Sequence, residues 1–506
     1  MTPANILFLY ATQAEATRKR IYVEACRELT RSYGHAVVFC YNGPKLTGID
    51  DLCVEHFDSW VDANRDVIDR ESLIRLEERF PDSNLWRGVV IERNLTDYSF
   101  VGPSFHSSTY TLPEIEWYLR ALVLFYDYVL DRYRIDVAFN QVSDNIHAHI
   151  IYELARSKKI IPLSLGRGIY WFDEMAFPQT ELSFGSRVLE ERYRRLRRDP
   201  SAPEGESSSD ELDEQIARFG SSEAQDERPG IIYTKTVRTI TVNALASIYG
   251  QARHLSIRRP RPLDSNHRIA FWPAVMSYAI RLRNLAAMRR MVRRKDLPAE
   301  PFVFCPLHYQ PEATLLGASP AWLDQLALVR LLSASLPAGH RLVVKDHPVI
   351  GGTRPPAFYR SVKQLPNVVL LDERVSGRWV AKAQNCALVA TIGGTVGLEA
   401  MLSGRPVLVF GRVYYDCMDT VLKPPSDLND LPLFLKRILV LGEHPRSEEI
   451  TGDLRTFLSA WISIMTPVGK ATYWTQEDEI GAGRDWARLV HEMSEQVGTA
   501  EPVRSR

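Results

Sequence analysis

The sequence predicts an α/β protein built from two Rossmann-like halves, and three observations carry that expectation. Short continuous apolar runs recur along the chain and mark strands buried on both faces. Helical patterns separate many of these runs, the alternation that produces parallel sheets with crossover helices. The chain has 506 residues, which at roughly 100–200 residues per domain is enough for two such units and their connections.

The first half opens with Asn5-Ile6-Leu7-Phe8-Leu9-Tyr10, an uninterrupted apolar strand. A helical pattern over 14–33 follows and ends at Gly34, and His35 to Cys40 gives the next strand, closed by the turn chemistry of Asn42-Gly43-Pro44. Strand, helix and strand in that order predict a βαβ unit. Further on come an aromatic-rich helix over 113–133, a strand at Asp136 to Gln141, a helix over 145–157 and a strand at Ile160 to Leu165. In the second half the expected strands are Phe302 to Pro306, Arg341 to Lys345, Val368 to Leu371, Ala387 to Thr391 and Pro406 to Phe410. Helices are expected over 321–335 and 395–403, with another at 483–496 before a polar tail.

Residues 199–230 break the rhythm. Pro, Ser, Glu, Asp and Gly dominate there, with too few apolar side chains to offset the entropy of ordering the backbone, so a flexible linker is expected. Residues 252–295 then hold twelve Lys or Arg, and Arg192 to Arg198 form a second basic cluster before the linker. Two readings stay open for these clusters: a solvated helical face, or a surface that attracts anionic lipid or a polyanionic acceptor.

Composition excludes several classes. The 62 basic and 62 acidic residues cancel, which argues against a dedicated nucleic-acid binder. The six cysteines (Cys26, Cys40, Cys53, Cys305, Cys386, Cys417) contain no CxxC pair and read as reduced thiols rather than a disulfide frame or zinc site. No run of 18 or more apolar residues occurs, and Met1 to Tyr10 lacks the basic start and cleavage site of a signal peptide, so a soluble cytoplasmic protein is expected.

Ligands of doubly wound sheets bind beyond the carboxyl ends of the strands. In the second half this rule selects Leu307 to Glu312 with His308 and Gln310, then Lys345-Asp346-His347-Pro348, then Ile392-Gly393-Gly394-Thr395-Val396-Gly397-Leu398-Glu399. Glycines let a ligand approach the backbone, and a helix start at about Thr395 offers free amides to an anion. Thr395 would cap that helix or give its hydroxyl to a phosphate, and Glu399, one turn on, would accept from ribose hydroxyls. Lys345 and His347 suit a phosphate charge; the plainer alternative is a surface lysine and a capping histidine. The glycine run is neither GxGxxG nor a P-loop, so neither a dinucleotide nor a Walker site is supported. In the first half the rule selects Ser143-Asp144-Asn145 with His147, and the loop Gly166 to Glu174. Asp144 is the preferred general base, with helix capping as its simpler explanation.

Four segments carry a resemblance: 302–314 (FVFCPLHYQPEAT), 344–348 (VKDHP), 365–370 (LPNVVL) and 390–411 (ATIGGTVGLEAMLSGRPVLVFG). They resemble the bacterial capsular polysaccharide synthesis family, which includes β-Kdo transferases. The resemblance implies a GT-B architecture, two Rossmann-like domains facing a cleft, with the acceptor in the first and a nucleotide-sugar donor in the second. On that plan residues 1–198 form the acceptor domain, 199–230 the linker, 231–300 a basic helical connection, 301–475 the donor domain and 476–506 a terminal helix and tail. It implies donor contacts from His347, Pro348, Gly394, Thr395 and Glu399, to which the rim rule adds Lys345, His308 and Gln310. Asp144 and His347 are the catalytic candidates.

The expected activity is inverting, metal-independent transfer from a nucleotide-activated sugar, with CMP-Kdo the favoured donor, to a glycan or glycolipid acceptor in surface polysaccharide synthesis. No cofactor and no metal site is expected, since no DxD aspartate pair is evident. The basic segments would allow a peripheral position at the inner face of the cell membrane. Alternatives from the same fold are a sugar-nucleotide epimerase or hydrolase, or a non-catalytic component of capsule assembly or export.

Overall fold

The computed structural model describes residues 3–10, 16–43, 45–92, 95, 110–140, 145–167, 175–181, 185–199, 271–310, 312, 314–348, 352–469 and 479–498. The expected linker, apart from residue 199, and the start of the basic connection lie outside these residues, as do Asp144 and most of the loop 166–174.

The chain begins with β1 (Asn5–Tyr10), α1 (Ala16–Tyr33), β2 (Ala36–Tyr41) and β3 (Cys53–His56). Four short helices follow, α2 (Phe57–Ala63), α3 (Arg65–Arg70), α4 (Leu73–Arg79) and α5 (Leu85–Ile91), then α6 (Leu112–Arg132), β4 (Val137–Asn140), α7 (Ile146–Ser157), β5 (Ile161–Arg167), β6 (Met175–Gln179) and α8 (Arg187–Arg198). Beyond the gap come α9 (Phe271–Met291), β7 (Phe302–Pro306), a π-helical turn at Thr314–Ala318, α10 (Gln325–Ser335), β8 (Arg341–Lys345), α11 (Pro356–Lys363) and β9 (Val368–Leu371). The last elements are α12 (Gly377–Lys382), β10 (Cys386–Thr391), α13 (Thr395–Met401), β11 (Val407–Val409), α14 (Leu431–Leu439), α15 (Ser447–Ser463), β12 (Thr466–Pro467) and α16 (Glu479–Gly498).

Two sheets result. The first has the order β12-β6-β5-β4-β1-β2-β3, parallel from β5 through β3 and antiparallel at β6 and β12. The second, β11-β10-β7-β8-β9, is parallel throughout. The apolar runs explain both. In β1, Leu7 and Leu9 join the core shared with α6 and α7, while Ile6, Phe8 and Tyr10 join the core shared with α1 and α16. Burial on both faces is what a run without alternation demands. The expectation of an α/β chain with two Rossmann-like units is therefore met.

Several helix starts follow from local chemistry. Thr111 and Glu114 form a capping box at α6, with Pro113 in its first turn. The helix expected from 321 instead begins at Gln325, because Pro320–Trp322 makes a separate 3₁₀ turn and Asp324 caps the backbone N–H of Leu326 at 3.0 Å.

The chain also exchanges helices between the units. The apolar side of α8 (Val188, Leu189, Tyr193, Leu196) packs with Phe457 and Trp461 of α15 beside the second sheet. There the Tyr193 hydroxyl donates to Asp453 Oδ1 at 2.5 Å and accepts from the Asp419 N–H at 3.0 Å. Burying each such apolar side chain stabilises the contact by about 1.5–3 kcal/mol. In return α16 comes back to the first sheet, where Trp486, Val490 and Met493 sit in its core. The close approach depends on Gly483, where a Cβ would lie 2.5 Å from Glu24 Cβ. Between the units, Arg87 of α5 donates to the carbonyl of Gly317 in the π-helical turn.

All six cysteines are free, and only Cys53 is exposed. Among the described residues no helix is long and apolar enough to cross a membrane.

Candidate functional site

The second sheet brings the ends of β7, β8 and β10 onto one rim, in the order β10-β7-β8. Lys345 ends β8 and is buried, its Nζ donating to the carbonyl of Asp346 at 3.0 Å. Burial pulls its pKa down to about 8, with Asp346, Glu373, Asp372 and Glu399 pulling the other way, so it is mostly charged at neutral pH. His347 is half-buried, and burial followed by repulsion from Lys345 lowers its pKa to about 4. Of these two residues, Lys345 therefore carries the positive charge at neutral pH, while His347 presents a neutral imidazole that hydrogen-bonds. Pro348 follows directly, and the ring of Tyr309 meets that of His347 edge-on at 6.3 Å.

Beneath these residues lies a buried polar scaffold. Asp346 accepts the backbone N–H of His347 at 2.8 Å through Oδ1 and the Tyr359 hydroxyl at 2.7 Å through Oδ2. Arg354, 2% exposed, donates from Nε to both oxygens of Asp346 at 3.1 Å, from Nη1 to Gln310 Oε1 at 2.6 Å and from Nη2 to the carbonyl of His308 at 2.6 Å. Gln310 in turn donates to the carbonyl of Leu323. His308 is held again by Gln325, which accepts its N–H at 2.8 Å and donates to its carbonyl at 3.2 Å. His308 and Gln310 are thus buried props of the rim.

The imidazole of His308 reaches across to the glycine turn after β10. Its Nε2 accepts the N–H of Gly393 at 3.3 Å and lies 3.5 Å from Thr391 Oγ1. That contact needs Nε2 unprotonated, and burial, with His347 and Arg354 nearby, holds the His308 pKa down to about 4. The turn is clamped from its other side too. Thr391 Oγ1 accepts from Gly394 N at 3.2 Å, and the Tyr415 hydroxyl donates to the Gly394 carbonyl at 2.6 Å. Gly397 makes room for this clamp: a Cβ there would sit 2.2 Å from the Tyr415 oxygen. Gly394 occupies the N-cap position of α13 and Thr395 is its first residue, so of the two roles expected of Thr395 the helix cap is not taken.

Glu399, one turn into α13, is 4% exposed. Burial raises its pKa to about 7, against the pull of Arg378, Lys345 and Lys382. Arg378 lies in the first turn of α12, where burial lowers its pKa and Glu399 opposes that shift. Glu373, after β9, is buried as well, and its carboxyl pKa is raised first by burial. The rim rule would have found Glu373 and Arg378 had it been extended to the loop after Leu371. For Arg354 and Tyr359 the sequence gives no periodic or motif signal, because they reach Asp346 from a separate loop and helix and Arg354 also reaches back to Gln310 and His308.

The first unit contributes less. Asp144 lies outside the described residues, and the cap of α7 is Asn145, which accepts from Ala148 N at 3.0 Å. His147 is fully packed, its Nδ1 2.7 Å from the Tyr126 hydroxyl and its Nε2 2.9 Å from the Tyr118 hydroxyl, with burial lowering its pKa to about 3. It belongs to the core.

Residues 320–419 match the family of capsule polysaccharide biosynthesis proteins. This family segment contains Lys345, His347, Pro348, the glycine turn and Glu399, so the resemblance read from the motifs holds where those residues lie. Protein FixF of Sinorhizobium fredii (strain NBRC 101917 / NGR234) is 28% identical over 147 residues, 27% of this chain and 34% of that protein. The chain thus spans about a third of the length of this curated relative. Among solved structures, the β-Kdo 2,7 transferase of Thermosulfurimonas dismutans KpsC overlaps 73% of this chain and 96% of its own at 14% identity and a TM-score of 0.29. A UDP-GlcNAc 2-epimerase from Neisseria meningitidis, bound to UDP-GlcNAc, overlaps 97% and 100% at 10% identity and a TM-score of 0.22. Neither overlap bears on activity.

Proposed function

We propose that the rim of the second sheet binds the nucleotide phosphate of an activated sugar, and that the protein is a glycosyltransferase of surface polysaccharide synthesis. The observation that supports this most directly is the convergence of Lys345 and His347 with the Gly393–Gly394 turn, which His308 holds from below. Lys345 supplies charge in a site of low dielectric, where one ammonium stabilises a departing phosphate far more than in water. His347 adds a neutral hydrogen-bonding group, and Pro348 ends the segment. Glu399, ionising near neutrality, accepts from a sugar or ribose hydroxyl as a carboxylate. The motif resemblance favours CMP-Kdo as the donor, with a glycan or glycolipid as acceptor, and the family matched by residues 320–419 supports a place in capsule polysaccharide synthesis.

Transfer would be inverting and independent of metal, Lys345 and the helix start at Thr395 taking the role a metal has elsewhere, with Asp144 proposed as the base that takes the acceptor proton. The basic residues of α8 and α9 are proposed to hold the protein against anionic lipid or a polyanionic acceptor.

Thermal shift with CMP, UDP and GDP tests the site, because a ligand that binds only the folded state stabilises it by about 2.7 kcal/mol at a hundredfold excess over its dissociation constant. Stabilisation by CMP that disappears in His347→Ala, with the unliganded melting point kept, is the expected result. Stabilisation by UDP alone would exclude the CMP-linked donor, and a response to none of the three would remove the transferase assignment. With an active assay, unchanged turnover in Asp144→Asn would remove that residue as the base, and loss of turnover in EDTA would contradict metal independence.

A further inference from the structure

Every segment that forms the rim is connected to one guanidinium. Arg354 reaches Gln310 and the His308 carbonyl in the loop after β7, and the Asp346 carboxylate in the loop after β8. Through Asp346 it fixes the backbone of His347, and through His308 it fixes the Gly393–Gly394 turn. The Phe358 ring lies 4.8 Å from its guanidinium carbon, and the Tyr359 hydroxyl completes the shell of Asp346. A guanidinium is required because its donors leave in a rigid planar fork that a single ammonium cannot reproduce.

We propose that Arg354 is a positioning residue: it registers the loops after β7 and β8 so that His347 and the Gly393–Gly394 turn face the same phosphate. The proposal rests on the reading of the rim as a nucleotide site, and it assigns Arg354 no contact with the ligand. A purely structural ion pair predicts something different. A buried pair can often be replaced by apolar residues of similar volume at little cost in stability, and such a replacement would leave the rim as it was.

Histidine ¹⁵N spectra of the full chain separate the two, with His308 and His347 assigned from His308→Gln and His347→Ala. Arg354→Met is expected to move both signals and leave those of His147 and His149, both buried in α7 of the first unit, in place. Arg354→Lys keeps the charge but not the fork, and is expected to restore neither. Tyr359→Phe removes one bond from Asp346 and is expected to move His347 alone; it also carries the test if Arg354→Met does not fold. With CMP as the probe, both Arg354 variants are expected to bind at least tenfold more weakly than wild type. A folded Arg354→Met with both signals unmoved overturns the proposal, as does full recovery of CMP binding in Arg354→Lys. If Arg354→Met does not fold, a Tyr359→Phe variant with an unmoved His347 signal overturns it too. If wild type binds none of CMP, UDP and GDP, the nucleotide reading falls, and this proposal, which depends on it, falls with it. Moved signals beside intact wild-type binding would support both.

Discussion

Glu399→Gln is the most informative single change, because it removes a titration and keeps the shape. In the folded protein burial raises the carboxyl pKa from an ordinary 4.5 to about 7. A raised carboxyl pKa means the folded state binds the proton more tightly than the unfolded chain does. Its contribution to stability is complete below about pH 4.5 and is gone once pH has risen through about 7. Between about pH 5.5 and 8.5 wild type should therefore lose about 2 kcal/mol through this group, at 1.36 kcal/mol per pKa unit. Glutamine has no such loss. Lys345 adds to the same sign: Glu399 is one of the groups that keep its pKa from falling below about 8, so the variant's lysine loses more stability on the acid side. The gap between variant and wild type should move by about 2 kcal/mol in favour of Glu399→Gln as pH rises, or about 4–8 °C in melting point for a unit of this size. Urea unfolding followed by tryptophan fluorescence, to which buried Trp461 contributes, reads the gap, and all shared titrations cancel in it. A gap that stays within about 0.5 kcal/mol across that range would refute the argument that this carboxyl is held protonated by burial.

Three further changes probe other parts of the molecule. Gly397→Ala puts a methyl 2.2 Å from the Tyr415 oxygen and must push that ring off the Gly394 carbonyl; it should cost about 1–3 kcal/mol and weaken nucleotide stabilisation, whereas full nucleotide binding would show that the clamp is dispensable. Tyr193→Phe removes the 2.5 Å bond to Asp453 and should cost about 1–2 kcal/mol while leaving nucleotide binding unchanged, since this contact docks α8 and lies away from the rim. His147, with its pKa lowered to about 3, contributes stability that is complete above about pH 6.5 and is lost as pH falls toward 3. His147→Phe should make the acid limb of the stability curve shallower by about 1.4 kcal/mol per pH unit, and a slope equal to wild type would mean that the imidazole is not buried in its neutral form.

What the sequence disclosed follows the range of each interaction. Most strands were legible because continuous apolar runs such as Asn5–Tyr10 and Cys386–Thr391 have only one use in a sheet covered on both sides, whereas the short β3, β6 and β12 carry no such run and were missed. Lys345, His347 and the glycine turn were legible because a strand end, a turn and a helix start are all local. The short helices between β3 and α6 were not, since Asn64, Ser72 and Asn84 interrupt the chain every few residues and no helix there is long enough to show a period. The exchange of α8 and α16 between the units was hidden for another reason. An apolar stripe states that a helix is covered but not by what, and the partners of Tyr193 at Asp419 and Asp453 lie more than two hundred residues away.

The same distinction separates the two kinds of residue at the rim. Those that would touch a ligand sit next to one another in sequence, because each strand end supplies only a few positions. Those that hold them, Arg354, Tyr359, Gln325 and Tyr415, come from different loops and helices and carry no local pattern. His308 and Gln310 are the instructive pair. The rim rule selected them as ligand contacts, yet both are buried and hydrogen-bonded inward, one beneath the glycine turn and the other between Arg354 and Leu323. Position at a strand end marks a residue as part of the site, while hydrogen bonds from its side chain to other parts of the rim, as at His308 and Gln310, mark it as one that sets the geometry. On that argument His308→Gln and Gln310→Met should damage nucleotide binding by displacing the Gly393–Gly394 turn and the His347 loop respectively. Their effects should therefore be strongly non-additive with those of Arg354→Met, because all three act on one hydrogen-bonded unit. Losses that simply add, measured in a double-mutant cycle with CMP, would mean that each residue meets the ligand on its own.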